Sequence, residues 1–134
     1  MTALDTNILI YACDTADPVK QEKALQAIET AADGVVLWQV ACEFLAASRK
    51  LAAQGFTPDQ AWARRGDFLH LFPLILPGSG VLDQARALHV GRGLSFWDAM
   101  VVAACLECGA ERLLWEDIPS APRLDSLEIL NPFA

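Results

Sequence analysis

The sequence predicts an α/β fold: one domain over residues 1–134, with a mostly parallel central sheet of four to five strands and helices on both faces. Two observations lead to this prediction. Short apolar runs alternate with longer amphipathic runs along the whole chain, as in parallel strands joined by helical crossovers. With 134 residues and 54% hydrophobic residues, the chain can also build one core without disulfides or structural metals.

The first half of the chain carries the signals of two strands and two helices. Pro18 follows Asp17, and proline is favoured in the first turn of a helix. Gly34 and Gly55 follow helical patterns, where glycine commonly ends a helix. These signals predict a strand over residues 2–5 that extends through residue 8, a helix over 18–32, a short buried strand over 35–37 and a helix over 38–53.

The second half is predicted to hold three helices and three strands. Thr57, Pro58 and Gln60 together form a helix start, with a capping threonine and a glutamine three residues later. Ser95 is a second helix cap, and Pro132 indicates a sheet edge nearby. The predicted elements are a helix over 58–71, a strand over 74–76, helices over 81–90 and 95–108, and strands over 112–115 and 127–130, the last at the edge.

Composition narrows the functional class and the location. The 17 acidic and 10 basic residues give a formal net charge of −7, which argues against a broad nucleic-acid-binding face. No uninterrupted apolar run approaches the ~20 residues that a membrane-spanning helix needs. Because the first strand begins within a few residues of Met1, there is no room for a signal peptide, and we expect a cytoplasmic protein.

Four acidic residues stand in apolar surroundings: Asp5, Glu43, Asp98 and Asp117. Each has an ordinary explanation when taken alone. Asp5 is explained by an Asx turn and Asp117 by the turn after a strand. Glu43 is explained as a solvated helix residue, and Asp98 as part of a capping box with Ser95. Taken together they indicate one cluster, because acids are costly to bury alone and ligands bind at the carboxyl edge of a parallel sheet.

A carboxylate cluster points to a divalent metal ion. Several carboxylates held together repel one another, so a cation is needed to keep them ionised at neutral pH. Oxygen ligands select Mg²⁺ or Mn²⁺ over zinc. Such an ion can orient a water molecule, lower its pKa and clamp a phosphate, so the ligand set favours phosphodiester hydrolysis. Bound ions would also offset part of the acidic charge.

Competing chemistries find less support in the sequence. A phosphatase or receiver domain that used Asp5 as a phosphate acceptor would be expected to have a late lysine, yet Lys20, Lys23 and Lys50 are the only lysines and all lie early. Neither common type of glycine-rich phosphate loop is present. We expect the four cysteines to be buried small hydrophobes, because they lie in apolar surroundings and in a reducing compartment. The CxxC spacing of residues 105–108 lies late in a helix without a second pair, which argues against a redox or zinc role.

The chain resembles PIN-domain ribonucleases, and specifically the VapC toxins of bacterial toxin–antitoxin pairs. The resemblance covers essentially the full chain and is carried by residues 4–9 (LDTNIL), Glu43, residues 96–104 (FWDAMVVAA) and residues 113–117 (LLWED). It implies a Rossmann-like PIN fold and a Mg²⁺- or Mn²⁺-dependent endoribonuclease acting on single-stranded regions of RNA, usually as a homodimer. It also implies a cognate antitoxin whose tail blocks the acidic pocket, with DNA bound only indirectly through that antitoxin.

The resemblance assigns roles to individual residues. Asp5, Glu43 and Asp98 would hold the principal metal ion. Asn7 or Thr6 would orient ligands or water.

The fourth segment departs from the family pattern. Asp117 would support the principal ion or a second one. Many relatives have a hydroxyl residue two places before the fourth acid, where this chain has Trp115, which puts the second ion in doubt. Glu116 is either a substitute ligand or a solvated side chain.

Basic residues in neighbouring helices are candidates for holding RNA phosphates despite the acidic total. The alternative is that they are ordinary solvated charges. The candidates are Arg49, Lys50, Arg64, Arg65, Arg86 and Arg92.

A second hypothesis belongs to another functional class. It is a catalytically weak PIN-like binding or regulatory module that acts through complex formation with an antitoxin and promoter DNA. The four acids favour the nuclease, because a module kept only for binding has no physical need for carboxylates that repel one another.

Overall fold

The fold is organised around a six-stranded sheet with the strand order β3-β2-β1-β4-β6-β5. The computed structural model describes residues 1–117 and 123–134. The elements, in chain order, are β1 (Thr2–Leu4), α1 (Thr6–Cys13), α2 (Pro18–Thr30), β2 (Gly34–Leu37), α3 (Trp38–Ala47), a 3-10 helix (Ser48–Gln54), α4 (Pro58–Leu71), β3 (Leu74–Ile75), α5 (Val81–Arg92), α6 (Phe96–Cys108), β4 (Arg112–Leu114), β5 (Arg123–Leu124) and β6 (Leu127–Leu130).

The sheet is parallel except at one edge. β1 lies at its centre, with Ala3 opposite Val35 of β2 on one side and opposite Leu113 of β4 on the other. β3 and β6 continue the parallel pairing outward. β5 alone among the described strands runs antiparallel, beside β6. The predicted mostly parallel α/β architecture is confirmed.

Helices cover both faces of the sheet, as predicted. β1, β2 and β3 succeed one another in one direction across the sheet, and the chain then returns past β1 to β4. Because crossovers between parallel strands are right-handed, this reversal moves the chain to the opposite face. The helix contacts agree: α1 packs against α2 and α3, α3 packs against α4, and α5 packs against α6.

The core is apolar at almost every inward position of the central strands. Leu4, Leu113 and Leu127 are fully buried between the layers. Phe44 of α3 is also fully buried and meets the edge of the Phe68 ring of α4 at a centroid distance of 5.4 Å. The central strands therefore give way to polar side chains only where they end, and those ends position the site.

The region after β1 differs from the prediction. The strand ends at Leu4, and residues 6–13 form helix α1 instead of extending the strand through residue 8. The backbone of Asp5 is extended, with φ −77° and ψ 161°, and caps the helix. A continuous apolar run has no periodicity that separates a buried strand from a buried helix. Burial of Ile8, Leu9 and Ile10 between the sheet and neighbouring helices decides the outcome.

The position of the last predicted strand also differs from the prediction. The strand Leu127–Leu130 lies between β4 and β5 and is not at the edge. Asp125 adopts a left-handed conformation with φ 52°, which lets Arg123–Leu124 fold back beside Leu127–Leu130. The left-handed turn in this hairpin is typical of tight connections between antiparallel strands, and it adds a sixth strand to the four to five predicted.

The cysteines follow the prediction only in part. Cys105 is buried, and burial raises the pKa of its thiol; burial also raises the pKa of the Cys13 thiol, to about 11. Cys42 is exposed, contrary to expectation, because it faces outward from α3. Among the helices that the structure describes, none has the length and apolar character needed to cross a membrane.

Candidate active site

All four predicted acids lie on one cavity at the carboxyl ends of β1 and β4. The cavity has a volume of about 400 Å³. β1 delivers Asp5 directly at its end, and the segment after β4 delivers Asp117. Helices α3 and α6 contribute the other two acids from either side. The lining residues include Asp5, Thr6, Asn7, Glu43, Arg49, Lys50, Trp97, Asp98, Trp115 and Asp117.

Asp5 is the most buried of the acids, with 8% of its surface exposed. Its backbone N–H donates to the Leu114 carbonyl at 3.0 Å, which ties it to β4. Burial raises the pKa of its carboxyl group to about 6, and the charges of Glu43 and Asp98 add to the rise. The backbone N–H groups of Thr6 and Asn7 oppose it, although the Asp5 side chain makes no full capping hydrogen bond to α1.

Glu43 is held by two neighbours and is not simply solvated. The Thr6 hydroxyl donates to Glu43 Oε2 at 2.9 Å, and the amide of Gln39, one turn earlier on α3, donates to Glu43 Oε1 at 3.4 Å. The first bond joins α1 to α3 across the cavity. Thr6 therefore positions a second acid as well as following Asp5 in the chain.

Asp98 partly fits its ordinary explanation. The Ser95 hydroxyl caps α6 by accepting from the Asp98 backbone N–H at 3.3 Å. This bond uses the backbone of Asp98 and leaves its half-buried carboxylate on the cavity wall. Asp98 also lies in the first turn of α6, where the helix dipole favours a negative charge.

Glu116 does not take the place of the hydroxyl residue that the resemblance leads us to expect at position 115. Its carboxylate pairs with Lys20 Nζ and accepts from the Tyr11 hydroxyl at 2.9 Å. The hydrogen bond to Glu116 raises the pKa of Lys20. Glu116 is absent from the cavity lining and is paired, so it is neither a substitute ligand nor a freely solvated side chain. Its neighbour Asp117 is exposed at the cavity rim.

Of the six basic residues proposed to contact RNA, only Arg49 and Lys50 reach this cavity. Arg49 and Lys50 line it from the 3-10 helix that follows α3. The remaining four are absent from its lining: Arg64 is paired with Asp67 at 3.4 Å, Arg92 is paired with Asp125 at 2.9 Å, Arg65 lies 5.1 Å from the Trp62 ring centroid, and Arg86 is exposed on α5. The proposed phosphate-contacting rim is therefore smaller than the sequence suggested.

Two tryptophans complete the cavity, and only Trp115 stands out in the sequence, as a departure from the family pattern. Trp115 is 3% exposed and gives the cavity an apolar wall beside Asp117. Trp97 is 60% exposed and lies beside Asp98. The signal that could have identified Trp97 is its place in the chain, immediately before a candidate ligand at the start of a helix.

The oxygen-rich lining suits Mg²⁺ or Mn²⁺. In the described part of the chain, none of the salt bridges involves any of the four acids, so the buried Asp5 has no protein cation to pair with. Within residues 1–117 and 123–134, no three acidic side chains already stand as a compact ion-binding group. Separated carboxylates are compatible with Mg²⁺, because this ion keeps several of its waters and needs few direct protein ligands.

Comparison with known proteins agrees with the fold. The PIN domain family model matches residues 2–118. A toxin–antitoxin complex from Klebsiella pneumoniae has a chain with a TM-score of 0.74 and 19% identity, and 98% of each chain is covered. VapBC2 from Rickettsia felis, solved with a promoter DNA fragment, has a TM-score of 0.69 and 16% sequence identity, with 97% of each chain covered.

A third structure is similar over a smaller part of the chain. VapC20 of Mycobacterium tuberculosis, a toxin that cleaves the sarcin-ricin loop, gives a TM-score of 0.65 and 16% identity, with 84% of this chain and 87% of that chain covered. A search of curated proteins found no significant match. The TM-scores of the three structures show a shared fold, and the family model covers most of the sequence. The chain therefore belongs to the PIN domain family.

Proposed function

We propose that this protein is a divalent-metal-dependent endoribonuclease that hydrolyses phosphodiester bonds in single-stranded regions of RNA. The observation that carries the proposal is the cavity itself, which is lined by four carboxylates and by Arg49 and Lys50. Carboxylates bind the metal ion, and basic side chains bind the phosphates of a nucleic acid. The acidic net charge is compatible with this role because Arg49 and Lys50 line the cavity and a bound metal ion would offset part of the charge of its four acids.

The proposed metal ligands are Asp5, Glu43 and Asp98, with Asp117 at the rim supporting the same ion or a second one. When bound, Mg²⁺ or Mn²⁺ supplies an activated water and stabilises charge on the phosphate. Thr6 fixes the orientation of Glu43 through its 2.9 Å hydrogen bond. Asn7, also on the cavity wall, is placed to orient a water or a phosphate oxygen. Trp115 excludes water from one side.

Cleavage of a single-stranded RNA oligonucleotide tests the proposal. We expect cleavage with Mg²⁺ or Mn²⁺, none with EDTA, and a loss of at least about tenfold in Asp98→Asn because a metal ligand is removed. Asp83→Asn is the matched control, since Asp83 also lies in the first turn of a helix but is exposed on α5, away from the cavity. Equal activity in Asp98→Asn and Asp83→Asn would contradict the assignment.

Arg49 and Lys50 are proposed to contact phosphates. If each neutralises one phosphate of a single strand, replacing both with glutamine should reduce the slope of log affinity against log salt concentration by about 1.4. The measurement is fluorescence anisotropy of a labelled RNA in EDTA over a range of salt concentrations. Arg92→Gln is the control, because Arg92 is paired with Asp125. An unchanged slope in the double variant would show that these side chains do not contact phosphates.

We further propose that the protein is the toxin of a toxin–antitoxin pair and acts in the cytoplasm as a homodimer. Two structures with the same fold are toxin–antitoxin assemblies, one of them solved with promoter DNA. Exposed large apolar side chains, among them Leu71, Leu82 and Val90, offer surface for protein partners. In this proposal the antitoxin covers the acidic cavity, and promoter DNA is bound only through the antitoxin. Induced expression should arrest growth with the wild type and not with Asp98→Asn.

One observation favours a second candidate, a catalytically weak binding module. The acids line one cavity but, among the described residues, form no compact ion-binding group, and buried Trp115 stands in place of a family hydroxyl. Such a module would bind its antitoxin and show no metal-dependent cleavage. The oligonucleotide assay separates it from the nuclease.

A further inference from the structure

Trp97 separates two cavities of opposite character. On one side it lines the acidic cavity, and on the other it lines an apolar cavity of about 120 Å³. Trp38, Ile75 and Met100 contribute to the wall of the apolar cavity. Trp97 is 60% exposed, so it is not part of the core. Trp38 and Phe96 beside it are also about half exposed, so Trp97 belongs to a larger exposed apolar patch, and such patches mark binding sites.

The position of Trp97 is fixed relative to the acids. Gln39 donates one hydrogen bond to the Trp97 carbonyl at 3.3 Å and another to Glu43 Oε1 at 3.4 Å. The Phe96 ring meets the Trp97 ring edge to face, at a centroid distance of 5.0 Å. Asp98 is the next residue, so its Cα lies only about 3.8 Å from that of Trp97. The backbone of Trp97 is therefore tied to Glu43 through Gln39 and to Asp98 through the chain.

We propose that Trp97 is the stacking platform for a nucleobase of the RNA strand, next to the phosphate held at the acidic cavity. This inference rests on the proposed nuclease function. A nucleotide is itself two-sided, with an anionic phosphate and an apolar base face. The site matches both sides, since Arg49 and Lys50 line the acidic cavity while Trp97 faces apolar residues.

Stacking on Trp97 would bind single strands and tolerate sequence differences. Every base has a π-face, and removing an aromatic platform costs about tenfold or more in affinity per base. A paired base inside a duplex does not offer its face to a protein side chain. Trp97 would therefore favour unpaired regions without requiring a hydrogen bond to any base edge.

The test compares Trp97→Ala, Trp97→Phe and Trp62→Ala in cleavage of one single-stranded RNA with Mn²⁺. Trp62 is the matched control because it is 56% exposed on α4 and is absent from the lining of both cavities. We expect Trp97→Ala to lower kcat/KM by about tenfold, mainly through KM. Trp97→Phe should retain most of the activity because it keeps an aromatic face, and Trp62→Ala should equal the wild type.

Abasic substrates distinguish stacking from a structural role. RNAs that lack one base at successive positions around the cleaved bond should include one on which wild type and Trp97→Ala are equal, because the contacted base is gone. Mn²⁺ affinity should be the same in both proteins. The inference is overturned if Trp97→Ala equals wild type on intact RNA, or loses the same factor on every abasic RNA. It is also overturned if Trp97→Ala dissociates a dimer, which would assign Trp97 to a second copy.

Failure of this inference and failure of the proposed function give different results. If the wild type cleaves RNA with Mn²⁺ but Trp97→Ala is unaffected, the nuclease stands and the stacking role falls. If the wild type cleaves no RNA with either ion, the nuclease and the stacking role both fall.

Discussion

Asp5→Asn is expected to stabilise the metal-free protein while destroying its activity. Burial raises the pKa of Asp5 from 3.8 to about 6, so keeping the carboxylate ionised at pH 7 costs the folded state roughly 3 kcal/mol at about 1.4 kcal/mol per pKa unit. Asparagine removes that cost and retains a side-chain oxygen for the Thr6 and Asn7 backbone N–H groups. RNA cleavage should fall at least about 100-fold because a metal ligand is lost.

Chemical denaturation in EDTA at pH 7 measures the stability, and the oligonucleotide assay measures the activity. Asp83→Asn again serves as the control, since it removes one exposed carboxylate and should change neither quantity appreciably. A less stable Asp5→Asn protein would show that Asp5 is a structural turn residue whose charge the fold needs. A more stable Asp5→Asn protein would identify Asp5 as a carboxylate placed for function at a cost in stability.

The second large effect is on pH dependence. Because the folded pKa of Asp5 lies above its unfolded value, the folded metal-free protein binds this proton more tightly than the unfolded chain. Its contribution to stability is therefore present at low pH and is lost as pH rises from about 4 to about 6. A metal ion competes with the same proton, so Mn²⁺ affinity should rise about tenfold per pH unit up to about 6 and then level off.

Denaturation between pH 4 and 8, with and without Mn²⁺, checks both slopes in one series. In Asp5→Asn the metal-free stability should lose the part of its pH dependence that falls between about 4 and 6. An affinity for Mn²⁺ that does not change between pH 5 and pH 6 would contradict the account, because it would mean that no carboxyl group of the site has to lose a proton.

Much of the fold was predictable because burial and local chemistry agree along most of the chain. Thr57 and Gln60 form the predicted capping box, with bonds in both directions, and Gly93 and Gly109 end their helices in left-handed conformations. The grouping of the four acids followed from a general rule, namely that the ends of parallel strands meet at one edge of a sheet. Asp5 and Asp117 obey it directly.

The predictions that were wrong or incomplete have physical causes that sequence patterns do not reveal. Helix α1 is buried along most of its length, so its apolar pattern lacks the alternation that separates helix from strand. Glu116 is occupied by Tyr11 and Lys20, and its bond to Tyr11 joins residues 105 positions apart in the chain. The exposure of Trp97 depends on which helix faces pack together, and a hydrophobic residue at a helix start is ordinarily read as core.

Calorimetric titration of metal-free protein with Mn²⁺ at pH 7 tests the central claim most directly, because it needs no RNA. We predict saturable binding to the wild type and to Asp83→Asn, and no measurable binding to Asp5→Asn or Asp98→Asn. Equal binding by all four proteins would place the ion elsewhere. No binding to the wild type would mean that the carboxylates of this cavity do not hold a metal ion, and the nuclease proposal would fail with it.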